Sequence, residues 1–337
     1  MAHQIVSLGG TMGPAKIVGV SGCRLSDGRL HLGHYLGCFH PQKLRHVSQV
    51  FFVIQDQETN QLAGISPEKR SLLLLLSQLY NLPVEIEIIP CLQTAVFPAY
   101  APLYDFARAA TTLRTLETAH PKKTNLRQAT ALALRNYLFP IDQAVQFLAF
   151  GAKFVLMNDD NVRFFHLARR LHKKLVNHPR QPIPKPMLLL KPCPRLIGSD
   201  GKKMAKAQAN CIFFMDDDRT VVEQIKNYAR RLGWRWTKDS VWTFEAASDR
   251  SQKLAPDSPL MSISTAFGDP LAATELSIDD APKTVEGLIA QIVPLIAGVR
   301  SRTLDSLRSE QSLWDRFQHD NTRAVEQIRS TIEALIS

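Results

Sequence analysis

No two of the five cysteines (Cys23, Cys38, Cys91, Cys193, Cys211) stand at C-x-x-C spacing. That lack argues against a structural zinc or iron–sulfur framework, and the scatter fits free, mostly buried thiols in a reducing compartment. Long apolar runs are missing too. The longest, Leu72 to Leu76, lies between Arg70 and Gln78. It falls far short of the roughly 20 residues that span a bilayer and reads as one turn of a buried helix. The first 15 residues hold neither a basic-then-apolar signal nor an Arg-rich transit pattern. Their Gly-Gly and Gly-Pro pairs suggest a flexible extension, so the expectation is a cytoplasmic protein with no membrane segment. Acidic residues are in deficit, 31 Asp and Glu against 41 Lys and Arg, for a formal net charge of +10. This suits a polyanionic partner, and it suits plain solubility equally well. What is present is ordinary: 45% hydrophobic and 21% charged residues over 337 positions, enough for one large domain or two of usual size.

Strand-like and helix-like signals alternate through the first two-thirds. Ile17–Ser21 (IVGVS), Val50–Ile54 (VFFVI), Val84–Ile89, Phe154–Met157 and Met187–Leu190 read as short apolar strands. Helical patterns lie between them, over 31–44, from Ser66-Pro67-Glu68 to about Tyr80, and over 98–117, 126–150 and 160–176. Such alternation predicts an α/β fold with a parallel sheet covered on both faces. Pro182, Pro184 and Pro186 rigidify a connector, and Pro192 and Pro194 bound the next loop. Beyond about residue 215 strand signals fade, and helical spacing marks 218–232, 283–299 and 320–335. The expected organisation is an extension at 1–15, an α/β parallel-sheet domain at 16–214 and a smaller helical domain at 215–337.

Two features carry chemistry. Ser21-Gly22, a loop with Ser26-Asp27-Gly28, and then His31-Leu32-Gly33-His34 place a strand, a turn and a helix N-terminus in succession. Free backbone N–H groups at such a terminus bind anions. Histidines three apart share a helical face and offer ring N–H donors, while Gly33 leaves room for a flat group. A pair of structural histidines, or half of a metal site lacking further ligands, are the alternatives. The second feature is Gly201-Lys202-Lys203-Met204-Ala205-Lys206, after the Asp200-Gly201 turn. Its lysines suit a pyrophosphate, or form a solvated surface run.

Taken in order, HLGH at the first strand–helix junction and KMAK at the end of the sheet region resemble the two signatures of class I aminoacyl-tRNA synthetases. The resemblance extends to the tryptophanyl-tRNA synthetase family through SGCRLSDGRLHLGHYLG, FFVIQDQ, FPIDQAVQFLAFGAKFVLMNDDN, GKKMAKAQANCIFFMDDDRTVVEQI and TRAVEQIRSTIEAL. It implies a Rossmann-type catalytic, nucleotide-binding domain at 16–214, an anticodon-binding-like helical domain at 215–337, and ATP-dependent formation of an aminoacyl adenylate with transfer to tRNA. His31, His34, Lys203 and Lys206 would act on the triphosphate as catalytic residues. Gly22, Gly33, Asp160, Leu196 and Met204 would hold the nucleoside of ATP, Asp160 on its ribose. Arg24, Gln57, Gln143, Gln146 and Asn161 would meet tryptophan or a related amino acid. ATP and Mg²⁺, the ion held chiefly by phosphates, tRNA and a homodimer are implied as well, with no resident metal site.

Four departures stand out. The Asp that accepts the indole N–H in the family aligns with Gln146, and the signature serines are Ala205 and Ala207. Leu25 and Ser26 replace the usual Pro and Thr, with Asp27 added, and the G-x-DQ turn reads Asn158-Asp159-Asp160-Asn161. These suggest a diverged paralogue with altered amino-acid choice, or a silent RNA-binding relative. Arg163, Arg169, Arg170, Lys173 and Lys174, with His166 and His172, give helix 160–176 a basic surface for RNA or for solvent.

Overall fold

The computed structural model describes residues 17–39, 47–56, 69–119, 134–157, 161–176, 188–189, 196–208, 210–237, 240–245, 254–255, 258–267 and 276–336. Gln57, Asp160, the 1–15 extension, the helix start at Ser66-Pro67-Glu68 and the proline connector lie outside them.

The apolar runs form the expected sheet. β1 (Val18–Arg24), β2 (Gln49–Gln55), β3 (Glu87–Leu92), β4 (Phe154–Val155) and β5 (Leu188–Leu189) stand in the order β3-β2-β1-β4-β5, every pair parallel. All of β2 is buried because the sheet is covered on both sides. Val50, Phe52 and Ile54 enter one apolar cluster, and Phe51 and Val53 the other. Each such side chain contributes roughly 1.5–3 kcal/mol by leaving water.

Five helices follow the crossovers: α1 (Leu32–Phe39), α2 (Lys69–Tyr80), α3 (Gln93–Ala110), α4 (Leu113–Ala119) and α5 (Leu134–Ala149). After β4 comes α6 (Val162–Val176), with Phe164, Phe165, Leu167, Ala168, Leu171 and Leu175 inward. Its Arg163, His166, Arg169, Arg170, Lys173 and Lys174 all face out. Crossing order reverses between β1 and β4, and the carboxyl ends there form the crevice where parallel sheets of this kind bind ligands.

Beyond the sheet lie α7 (Asp218–Arg230), α8 (Pro259–Ala266), α9 (Ala281–Leu307) and α10 (Glu310–Ile336). A two-stranded antiparallel hairpin, β6 (Trp234–Trp236) with β7 (Trp242–Phe244), interrupts the helices where strand signals had faded. Its strands are too short for alternation to register, and cross-strand packing of Trp236 on Trp242, ring centroids 5.1 Å apart, holds them. By length and composition α9 is long and apolar enough to cross a membrane, which the absence of long apolar runs did not suggest. Its Val285, Leu288, Ile292, Ile296 and Val299 form one buried stripe in the core shared with α2 and α7.

Candidate active site

The loop between β1 and α1 is anchored before it does anything else. Leu25 and Leu30 are fully buried at its ends. Between them Gly28 takes φ +74°, and a side chain there would meet the Ser71 carbonyl oxygen at 2.1 Å, so only glycine fits. Gln78, buried on α2, accepts from the Leu30 N–H at 3.0 Å and donates to the Gly28 carbonyl at 2.8 Å. These bonds leave His31 at the mouth of α1 with little freedom.

His31 and His34 lie ring on ring, centroids 3.8 Å apart. The Gly33 N–H donates to His31 Nδ1 at 3.0 Å, and the His31 N–H to His34 Nδ1 at 3.4 Å. With Nδ1 an acceptor in both rings, the proton of each neutral imidazole sits on Nε2. Loss of hydration pushes the His31 pKa down to about 3, assisted by the positive charges of Lys206 and Lys203. His34 is held well below its ordinary value by lost hydration, by His31 and by the same lysines. Both rings are thus neutral Nε2–H donors at pH 7. A side chain at Gly33 would sit 2.9 Å from the His31 ring.

The distant lysine segment comes to the same place. Residues 196–204 fold into a hairpin in which Ile197 bridges Lys203 and Met204 N–H donates to the Leu196 carbonyl at 2.8 Å. Asn210 stitches it: its Oδ1 accepts from the Ala205 N–H at 2.9 Å, and its Nδ2 donates to Asp200 at 2.7 Å and to the Lys203 carbonyl at 3.1 Å. Met204 and Leu196 are buried, and Met204 Sδ lies 3.9 Å from the position a Gly33 side chain would take. His31 bridges Phe213, and the Leu32 N–H donates to the Ile212 carbonyl at 3.0 Å. Lys206 reaches across to the first loop, donating to Ser26 Oγ at 2.8 Å and Asp27 Oδ1 at 2.5 Å. Burial opposes ionisation of Asp27, but hydrogen bonds from Lys206 and Arg29 outweigh it and hold its pKa near about 2. Asp27 is therefore a counter-ion standing where Lys206 rests.

A second polar group lies at the carboxyl end of β2. Arg24, exposed at the end of β1, is in register with Gln55. Gln55 Nε2 donates to Gln143 Oε1 at 2.9 Å. Gln143 and Gln146 are both buried on α5. Gln146 Nε2 donates to Asp142 Oδ2 at 3.1 Å, and Tyr100 donates to Asp142 Oδ1 at 3.1 Å. Gln93 donates to the same carboxylate. Asn161 is exposed immediately before α6. Gly22 lies within β1, where a side chain would stand 2.5 Å from the Val53 carbonyl oxygen, so strand packing alone demands it.

Among known proteins, the family model described as tRNA synthetases class I (W and Y) matches residues 20–245. The chain belongs to this family. It is 30% identical over 211 residues to a tryptophan–tRNA ligase of Treponema pallidum and 26% identical over 228 residues to that of Clostridium longisporum. Those matches take in 59% and 63% of this chain, and it spans 61% and 65% of the relatives' lengths. The fold is that of solved family members. The tryptophanyl-tRNA synthetase of Mycoplasma pneumoniae superposes with TM-score 0.69 at 16% identity, covering 95% of this chain and 96% of its own. That of Campylobacter jejuni, complexed with ADP and tryptophan, gives 0.64 at 17% identity over 94% and 98%.

Within this synthetase fold the structure gathers His31, Gly33, His34, Leu196, Lys203, Met204 and Lys206 into one site, with Gln143 and Gln146 in the neighbouring polar group. Sequence reading passed over Gln55, Gln78, Gln93, Tyr100 and Asp142. The signal for Asp142 was there: it is a charged residue inside the apolar helix FPIDQAVQFLAF.

Proposed function

We propose that the chain activates tryptophan, or an amino acid of closely similar shape, with ATP and passes it to tRNA. The observation that supports this most is the convergence of the His31–His34 pair with the Lys203–Lys206 hairpin at the switch point of a parallel sheet. In this reading the substrate carboxylate attacks the α-phosphorus in line, the bond to the bridging oxygen breaks and pyrophosphate leaves. A ribose hydroxyl of tRNA then attacks the adenylate carbonyl and releases AMP. Neutral Nε2–H groups of His31 and His34 meet phosphate oxygens, while Lys203 and Lys206 follow the charge that builds on the leaving group. Arg24 and Asn161, with Gln57 and Asp160 from outside the described residues, complete the amino-acid and ribose contacts.

Mg²⁺ would arrive with ATP. Among the described residues no cluster of three His, Cys, Asp or Glu side chains could hold a metal. Asp27, the carboxylate beside Lys206, is already engaged by Lys206 and Arg29, so phosphate oxygens are the natural ligands for the ion.

On this reading residues 16–214 carry activation, residues 215–337 the helical portion, and the outer face of α6 approaches the tRNA backbone. A homodimer and a cytoplasmic setting accompany it. The replacements at 146, 205 and 207 favour a diverged member with its own amino-acid preference. The test is amino-acid-dependent ATP–pyrophosphate exchange across the twenty amino acids and indole analogues. Exchange with an indole amino acid is expected, reduced about a hundredfold or more in His34→Ala and Lys206→Ala. Silence toward every amino acid would remove the proposal. Binding of tRNA should weaken steeply with salt, and binding indifferent to salt would remove the role of α6.

A further inference from the structure

The replacement of the family's carboxylate by Gln146 leaves a neutral amide where a charge is usual, yet a carboxylate stands one helical turn earlier. Asp142 and Gln146 are four residues apart on α5 and therefore share a face. We infer that Asp142 is a positioning residue that fixes the Gln146 amide so that its carbonyl oxygen faces the amino-acid side chain. This rests on the proposed function and names how that site selects its substrate.

An ionised carboxylate only accepts hydrogen bonds. The edge of Gln146 that meets Asp142 Oδ2 at 3.1 Å must therefore be its NH₂, which also lies 3.4 Å from the Tyr100 hydroxyl oxygen. Tyr100 cannot reverse this order, because its own proton goes to Asp142 Oδ1 at 3.1 Å. Gln93 on α3 donates to Asp142 Oδ2 as well, so the carboxylate is held through both of its oxygens. Gln146 Oε1 accepts no hydrogen bond from a described residue. It is the end of the amide left for a ligand. Because the NH₂ rests on a negative charge, the amide is polarised and its oxygen becomes a stronger acceptor.

Gln143, one turn away, is fixed in the opposite sense. Its Oε1 takes the proton of Gln55, so its Nε2 faces away and is buried with no partner among the described residues. A buried donor left open is costly, and Gln143 carries that cost while Gln146 does not. Of the two amides, Gln146 is the one that offers an open atom, its carbonyl oxygen, and that oxygen complements a ring N–H on the amino-acid side chain.

The experiment compares tryptophan with its analogue in which sulfur replaces the ring N–H, in pyrophosphate exchange by the full chain. The ratio of kcat/KM between the two should fall about tenfold in Asp142→Asn, whose side chain can turn its own NH₂ toward Gln146 and reverse it. The KM for ATP should stay within about twofold. Returning the charge one turn on, in the double variant Asp142→Asn with Gln146→Asp, should restore the ratio. A parallel loss for both amino acids would reduce Asp142 to a structural residue and overturn the inference, as would an unchanged ratio. Failure of the double variant to recover discrimination would overturn it too. Silence of the unaltered chain toward both compounds would instead sink the proposed function, and this inference with it.

Discussion

A free imidazole titrates near pH 6.5, and at His31 and His34 the surroundings remove that transition. The consequence has a definite sign. Unfolded, each ring takes up a proton near 6.5; folded, His31 resists protonation down to about 3. Between those values the unfolded chain binds more protons, so stability is complete above the unfolded value and declines as pH falls through that window. Urea unfolding should show stability dropping from pH 7 to 4.5 at up to about 1.4 kcal/mol per pH unit for each histidine. His31→Gln should flatten the slope, and an unchanged slope would refute the assignment. Because the donors are neutral, exchange should show no step between pH 6 and 7 from these rings. An amide N–H stands close to where Nε2–H stands, so His34→Gln should retain far more activity than His34→Ala. Asp27 gives a second prediction. Its carboxylate competes with a triphosphate for Lys206, an interaction half open to water and so modest. Asp27→Asn should lower the KM for ATP about two- to fivefold, and a rise in KM would show that Asp27 assists binding.

At the scale of elements, the lysine hairpin owes its shape to Asn210 more than to its own strands. Asn210→Ala would free the Ala205 N–H and the Lys203 carbonyl near the surface, where water replaces the lost partner. Thermal stability should change by only about 1 kcal/mol, while exchange should fall about tenfold because Lys206 is no longer delivered in one geometry. Equal effects on both would show the hairpin to be a fold element rather than a delivery arm. The sequence announced the hairpin through Asp200-Gly201 and the sheet through continuous apolar runs, since local turn chemistry and burial on two faces leave local marks. It could not announce α3 correctly. The helical pattern placed its start near 98, yet the helix begins at Gln93. Its first turn is held by distant residues: Asp56 accepts from the Thr94 N–H at 3.0 Å, and Asn321 accepts from the Leu92 N–H at 2.9 Å. A cap supplied from 229 residues away has no local signature. The same holds for Asp142, whose partners Gln93 and Tyr100 come from another helix.

Across the whole molecule, the last helix joins the two faces of the sheet. Phe317 enters the cluster on one side, and Ala324, Ile328 and Ile332 enter the other. Polar ties run along its length: Tyr80 to Asp320 at 2.7 Å, Arg323 to Glu87 at 2.5 Å, and Gln327 to the Phe150 carbonyl at 3.1 Å. Helix α9 is tied in similarly, with Ser77 donating to the Thr303 carbonyl at 2.9 Å. Elements so interlocked should unfold together. Fluorescence from Trp314 on α10 and Trp234 on the hairpin, and far-ultraviolet circular dichroism from the whole chain, should trace one coincident urea transition. Within it the ties should differ in weight according to burial. Asn321→Ala leaves a backbone N–H of β3 without its partner and should cost about 1–3 kcal/mol. Arg323→Ala removes a partly exposed pair with Glu87 and a longer one, 3.4 Å, with Asp320, which keeps its hydrogen bond from Tyr80, and should cost no more than about 1 kcal/mol. The order of the two is the decisive outcome. If the arginine proved the costlier loss, charge rather than backbone satisfaction would be what fastens α10 to the sheet.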